Sequence, residues 1–262
     1  MNRPIALLTD FGTKDHFVGS LKGVILGINP SAIIFDITHE VRPQNIWDGA
    51  FVLYSVYSYV PNGTIIVAVV DPGVGSERRA ICVKTDKCFL LAPDNGLLNM
   101  VIRDEKKFEA RKIVNDRYFR KPVSNTFHGR DIFAPTAAYL SERNIFQSLG
   151  PIVRDIHRLR IPEPQDTKTG MTGEVLYIDR FGNVMTNISK SFLGRTFNSK
   201  KIRILVKNKF HAQMKLLFCE GASGELIALW NSTGLLELAV KNDSAEKEFK
   251  LKVGDPVTVL MK

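Results

Sequence analysis

Three apolar runs in the first 71 residues, IALLTD (5–10), AIIFDI (32–37) and TIIVAVVD (64–71), constrain this chain more than any other feature. The stretches between them carry a different period. Phe17, Val18, Leu21, Val24, Ile25 and Ile28 follow the i, i+1, i+4, i+7, i+8, i+11 stripe of an amphipathic helix. Asp15 is placed to cap that helix and Asn29-Pro30 to stop it. A second helix is predicted over about 45–59. The third run is apolar throughout, as in a sheet covered on both faces. Strand, helix, strand, helix, strand predicts an α/β domain with a largely parallel sheet. AICVKT (80–85) and CFLLAP (88–93) extend it as strands, and a helix is expected from Asn95.

Near residue 160 the texture changes. Pro162, Pro164 and Gly170 punctuate IPEPQDTKTG. Short alternating segments follow: GEVLYID, KIRILVK, ELIALWN, LLELAV and DPVTVLMK. They predict a smaller antiparallel β domain, a barrel or a sandwich. The expected organisation is an α/β domain over 1–160, a linker over 161–170 and a β domain over 171–262.

Composition narrows the functional classes. No apolar run approaches the roughly 20 residues that span a bilayer, and MNRPIALLTD is too short in apolar residues for a secretory signal. A soluble, cytoplasmic protein is expected. Cys82, Cys88 and Cys219 form no CxxC pair, and the five histidines show no ligand spacing, so no disulfide and no metal are expected. The net charge is +9, and the stretch from Lys190 to Lys215 holds no acidic residue. Without a nucleic-acid motif or interleaved aromatics, that stretch reads as a solvated sheet face rather than a nucleic-acid surface.

The chemistry gathers in four places. Asp10 in LLTDFG and Asp71 in VVDPGVGSERRA (69–80) both stand at strand ends before glycine turns, where ligands of parallel sheets bind. The second segment has the glycines of a phosphate loop but lacks its lysine and hydroxyl. DFG (10–12) and HGRD (128–131) occur in the reverse of the kinase order and without a kinase's other parts. His128, in FHGRDIFAPTAAYL (127–140), stands just ahead of a helix, where an imidazole suits acid–base work. IDRFGNVMTNI (178–188) sets Asp179, Phe181 and Asn183 around a glycine corner, a hairpin turn or a set of ligand contacts.

Those segments in this order, with LAPDNGLL and NSTGLLELA (231–239), resemble the S-adenosyl-L-methionine (SAM) hydrolases that form adenosine, the SAM hydroxide adenosyltransferases. The resemblance runs from Ile5 to the C-terminus. It implies an α/β domain followed by a barrel-like domain. It also implies a homotrimer with each substrate shared between neighbouring subunits, and no cofactor, SAM being the substrate. The family's catalytic Asp, Arg and His fall on Asp71, Arg78 and His128, for displacement at C5′ by water or hydroxide with methionine leaving. Asp10 resembles the carboxylate that grips the ribose hydroxyls. Asn183 resembles an adenine or methionine contact, with Phe181 as a stacking surface. Asp179 and Ser232 resemble groups that meet the methionine ammonium and carboxylate, and Glu237 one on the adenosine side. Thr233 stands where some relatives have arginine. Related halogenases place a tyrosine where this chain has Asp71 and lack the histidine. The alternatives are therefore a SAM-dependent halogenase, or a non-catalytic binder of adenosine or nucleic acid.

Overall fold

The computed structural model describes residues 2–192 and 202–261. Arg195, Lys200 and Lys201 of the basic stretch lie outside the described residues. The chain divides into two units, Met1–Arg160 and Ile161–Lys262.

In chain order the first unit comprises β1 (Ile5–Thr9), α1 (Phe17–Ile28), β2 (Ile34–Thr38), α2 (Ile46–Tyr57) and β3 (Ile65–Val69). Then come β4 (Ala80–Thr85), β5 (Phe89–Pro93), α3 (Asn99–Asp104), β6 (Phe108–Lys112) and α4 (Ala134–Glu142). The six strands form one sheet in the order β2-β1-β3-β5-β4-β6. β2, β1, β3 and β5 run parallel, while β4 pairs antiparallel with β5 and β6. The sheet is thus largely parallel, as its strands' uninterrupted apolar character requires: every residue of β1, β3 and β5 is buried. Ile5, Leu7, Ile65, Val67 and Val69 share a core with Leu21 and Ile25 of α1 and Ala137 and Leu140 of α4. Each fully buried aliphatic side chain of this size contributes about 1.5–3 kcal/mol. α2 packs against α3, and Gly49 of α2 leaves no room for a Cβ, which would meet Leu97 at 2.7 Å and Val70 at 3.0 Å.

Two helix starts differ from expectation. α1 has His16, not Asp15, at its N-cap, with no side-chain bond there. α3 begins at Asn99 rather than Asn95, because the Asn95 side chain holds a turn. Its Oδ1 accepts from Leu97 N at 3.2 Å and its Nδ2 donates to Val70 O at 2.8 Å. α2 begins as its cap dictates, with the Asn45 side chain accepting from Asp48 N.

The second unit comprises β7 (Gln165–Thr167), β8 (Gly170–Ile178), β9 (Val184–Ser189), β10 (Ile202–Val206), β11 (Phe210–Met214), β12 (Leu226–Trp230), β13 (Leu235–Val240), α5 (Ala245–Phe249) and β14 (Pro256–Met261). The strand order is β14-β10-β11-β12-β13-β9-β8-β7, and β14 also pairs with β8, closing seven strands into a barrel. All the barrel pairings are antiparallel except β11 with β12. Val175, Val184, Ile204, Leu238, Val257 and Val259 fill its interior. β7 pairs on β8 inside the stretch expected to be linker. α5 had no counterpart in the sequence reading, although Ser244 caps it by accepting from Lys247 N. Among the described residues no helix is long and apolar enough to cross a membrane.

Candidate active site

The chain leaves β1 for β2 on one side and returns as β3 on the other. This reversal opens a crevice at the carboxyl ends of β1 and β3, the place where open α/β sheets bind ligands. Asp10 follows β1 directly and Asp71 lies two residues past β3. Both line one cleft of about 390 Å³ with His128, Gln44, Thr126 and the rings of Phe11, Phe17 and Phe127.

Asp10 is aimed by a locked turn. Thr9 Oγ1 lies 2.8 Å from His39 Nδ1 and accepts from Phe11 N at 3.3 Å. Gly12 N donates to His39 O at 2.7 Å, and Gly12 adopts φ +66°, which glycine tolerates. One oxygen of Asp10 accepts from Gln44 N at 2.7 Å.

Asp71, Arg78 and His128 come together. Arg78 grips Asp71 with two bonds, Nε to Oδ1 at 3.0 Å and Nη2 to Oδ2 at 2.5 Å. The same Nη2 lies 2.8 Å from His128 Nδ1. The pair is well buried, with side-chain exposures of 10% for Arg78 and 5% for Asp71. Arg79 turns elsewhere, pairing with Asp94 and Asp155. Burial and then the Arg78 charge push the His128 imidazole below its ordinary range, against the opposing pull of Asp71 and Asp131.

The glycine turn of VVDPGVGSERRA allows close packing. Gly75 adopts φ +81°, and a Cβ there would lie 2.3 Å from Asn125 O. The Asp71–Arg78 loop therefore rests directly on the segment that leads into His128. That segment is tied from the other side by Asp131, which is fully buried. Asp131 accepts from Arg130 Nε at 2.7 Å, Ser124 N at 2.9 Å and Arg120 Nη1 at 3.3 Å. Burial raises its pKa, but these donors outweigh burial and hold the carboxyl below its ordinary range. His128 itself opens a π-helical turn, Gly129–Phe133, that runs into α4, a local irregularity frequent at functional sites.

The second unit carries the remaining sequence-derived residues. Asp179, Phe181 and Asn183 form the corner of the β8–β9 hairpin. Asp179 Oδ1 accepts from the backbone N–H groups of Phe181 and Asn183, both at 2.9 Å. Phe181 is 76% exposed. It lines a cleft of about 700 Å³ with Asn183, Phe218, Cys219, Lys241 and Ser244. Phe218 was missed by sequence reading, since no motif marks LLFC. Glu237 on β13 is 4% exposed. Burial raises its pKa, a hydrogen bond with Asn231 opposes this, and the Asp179 charge raises it further. Ser232 is exposed on the β12–β13 turn and lines neither cleft. In that turn Asn231 Oδ1 accepts from the hydroxyl and N–H of Thr233 and from Leu235 N. Among the described residues no three His, Cys, Asp or Glu side chains are grouped as a metal ligand set.

The chain matches the SAM hydroxide adenosyltransferase N-terminal domain over residues 5–150 and the C-terminal domain over residues 173–258. It is 37% identical to a (R)-S-adenosyl-L-methionine hydrolase of Methanocaldococcus jannaschii, over 98% of this chain and 95% of that protein. A fluorinase of Actinoplanes sp. is 27% identical, over 98% and 97%. A crystal structure of an uncharacterized conserved protein from Thermotoga maritima superposes with a TM-score of 0.91 at 40% identity, covering 97% of this chain and 99% of that one.

Proposed function

This chain belongs to the SAM hydroxide adenosyltransferase family, and from that premise we propose that it is a hydrolase converting SAM to adenosine and L-methionine by attack of water or hydroxide at C5′. The observation that carries this reading is the hydrogen-bonded group of Asp71, Arg78 and His128 at a cleft beside Asp10. Methionine leaves from a sulfonium and needs no proton, so catalysis acts on the nucleophile, which must be held in line and relieved of a proton. Asp10 binds the ribose hydroxyls. Asn183, Phe181, Asp179, Ser232 and Glu237 receive the adenine and the methionine head.

A halide nucleophile suits the cleft less well than water, because the Asp71 carboxylate on its wall can accept a hydrogen bond and a proton from water and neither from a halide. Displacement of a sulfonium calls for no redox or carrier cofactor. By analogy with the (R)-S-adenosyl-L-methionine hydrolase of Methanocaldococcus jannaschii, the (R) epimer is the preferred substrate. Three free cysteines suit a reducing cytoplasm. The working assembly is a homotrimer whose sites draw on neighbouring subunits.

Incubation with each SAM epimer in chloride buffer, with products separated by chromatography, tests the reading. Adenosine and methionine are expected. Formation of 5′-chloro-5′-deoxyadenosine would show a halogenase instead. Asp71→Ala and His128→Ala should lower turnover by about 10²–10⁴-fold, with far smaller effects on SAM affinity.

A further inference from the structure

Within the trio, the sharing of roles is decided by one contact. Arg78 Nη2 lies 2.8 Å from His128 Nδ1. A guanidinium has five N–H donors and no acceptor, and it stays protonated in proteins. The bond is therefore possible only if Nδ1 presents its lone pair. In the neutral ring the single proton must then sit on Nε2.

Resting on the reading of this cleft as the SAM site, we propose that His128 is a hydrogen-bond donor to the attacking oxygen through Nε2–H, and that Asp71 takes the proton. A ring whose Nδ1 is held by a cation and whose Nε2 already bears hydrogen has no free lone pair for a water proton. A second proton could enter only at Nδ1, in place of the Arg78 bond and against a positive charge. The groups that act electrostatically on the ring are Arg78, Asp71 and Asp131. The low basicity of the buried ring agrees with the donor role, since it stays neutral near pH 7.

Asp71 retains the capacity His128 lacks. A carboxylate has about four lone-pair sites, and Arg78 uses one on each oxygen. Asp71 also lines the cleft, as His128 does, and Arg78 is not among its lining residues. In the step so assigned, the water oxygen forms a bond to C5′ while the C5′–S bond breaks. The electron pair of that bond goes to sulfur and gives neutral methionine thioether. The water proton passes to an Asp71 oxygen and from there to solvent. Arg78 is then left as the one cation of the trio, until Asp71 passes the proton to solvent and the Asp71–Arg78 ion pair is restored. Arg78 acts as the positioning residue that sets both partners.

Histidine-labelled protein tests this by ¹⁵N NMR near neutral pH, with the His128 signals assigned by their loss in His128→Gln. The expected result is an unprotonated, pyridine-type Nδ1 and a protonated Nε2. A protonated Nδ1 with a bare Nε2 would overturn the assignment, whether or not the protein hydrolyses SAM. Turnover supplies a second measure. The Gln amide can donate from about the position of Nε2 but cannot act as a base, so His128→Gln should keep activity within about tenfold of wild type. It should also lose the acid limb that protonation of His128 imposes on kcat/KM. A fall to the level of His128→Ala would mark the imidazole as the base.

Discussion

At the residue scale, the buried carboxyl of Glu237 sets folding against the binding role proposed for it. Its pKa in the folded chain is raised above 4.5 by burial, with the Asp179 charge adding to the shift. A raised acid binds its proton more tightly folded than unfolded. Its contribution to stability is fully present below pH 4.5 and is lost as pH rises through the folded value. Glu237→Gln removes the ionisation while keeping the shape and a hydrogen-bond acceptor for Asn231. The variant should gain melting temperature over wild type, by a margin that grows from pH 4 to pH 8, and lose turnover if the carboxylate meets substrate. Thermal melts across that range check it. A margin that stays flat, or shrinks with pH, would remove Glu237 as a source of tension.

At the element scale, the site depends on one loop resting on another. Gly75 brings the turn after β3 against Asn125 O, and this contact holds the Asp71–Arg78 pair at the height of His128. Gly75→Ala introduces both a strained φ and a clash, and should cost about 1–3 kcal/mol of stability. Because displacement of the trio by about 1 Å costs roughly 10²-fold, turnover should fall by a comparable factor. Gly63→Ala is the control. It has a similar φ of +83° with nothing within 4 Å of the added Cβ, so it should lose stability alone. Equal turnover in the two variants would separate the loop contact from catalysis. The same loop shows what was legible beforehand. Strand ends and glycine turns located Asp10 and Asp71, because apolar runs and backbone freedom are local properties. The place of His128 just ahead of a helix marked it as an acid–base candidate, and the resemblance added Arg78. Partners that join distant segments left no local signal: His39 beneath Thr9, Asn125 against Gly75, and Phe218 beside Phe181. Helix starts failed where side chains served other bonds, as at Asn95. The short helix α5 was marked only by Ser244, a single cap too weak to establish five residues.

At the scale of the whole molecule, the proposed residues fall into two sets on two units, the trio and Asp10 in Met1–Arg160, and Phe181, Asn183 and their neighbours in Ile161–Lys262. The proposed reaction calls on both. In that proposal one offers the nucleophile's partners and a ribose contact, the other an aromatic and amide surface with a buried acid. If each working site in a homotrimer draws its two sets from different subunits, two inactive variants should rescue one another. Asp71→Ala disables the first set and leaves the second intact. Asn183→Ala does the reverse, by removing an amide at the cleft that Phe181 lines. Each variant alone makes only impaired sites. In a cyclic trimer that holds both variants, whichever is present twice, one of the three sites pairs a sound first set with a sound second set. Co-expressing the two variants under separate tags, isolating doubly tagged protein and measuring adenosine release should therefore recover activity well above either parent. A site built within one chain gives no recovery, since every chain carries one of the two lesions. Sedimentation of the same sample fixes the number of subunits, so that absent rescue in a trimer speaks against shared sites, and absent rescue in a monomer against the assembly itself.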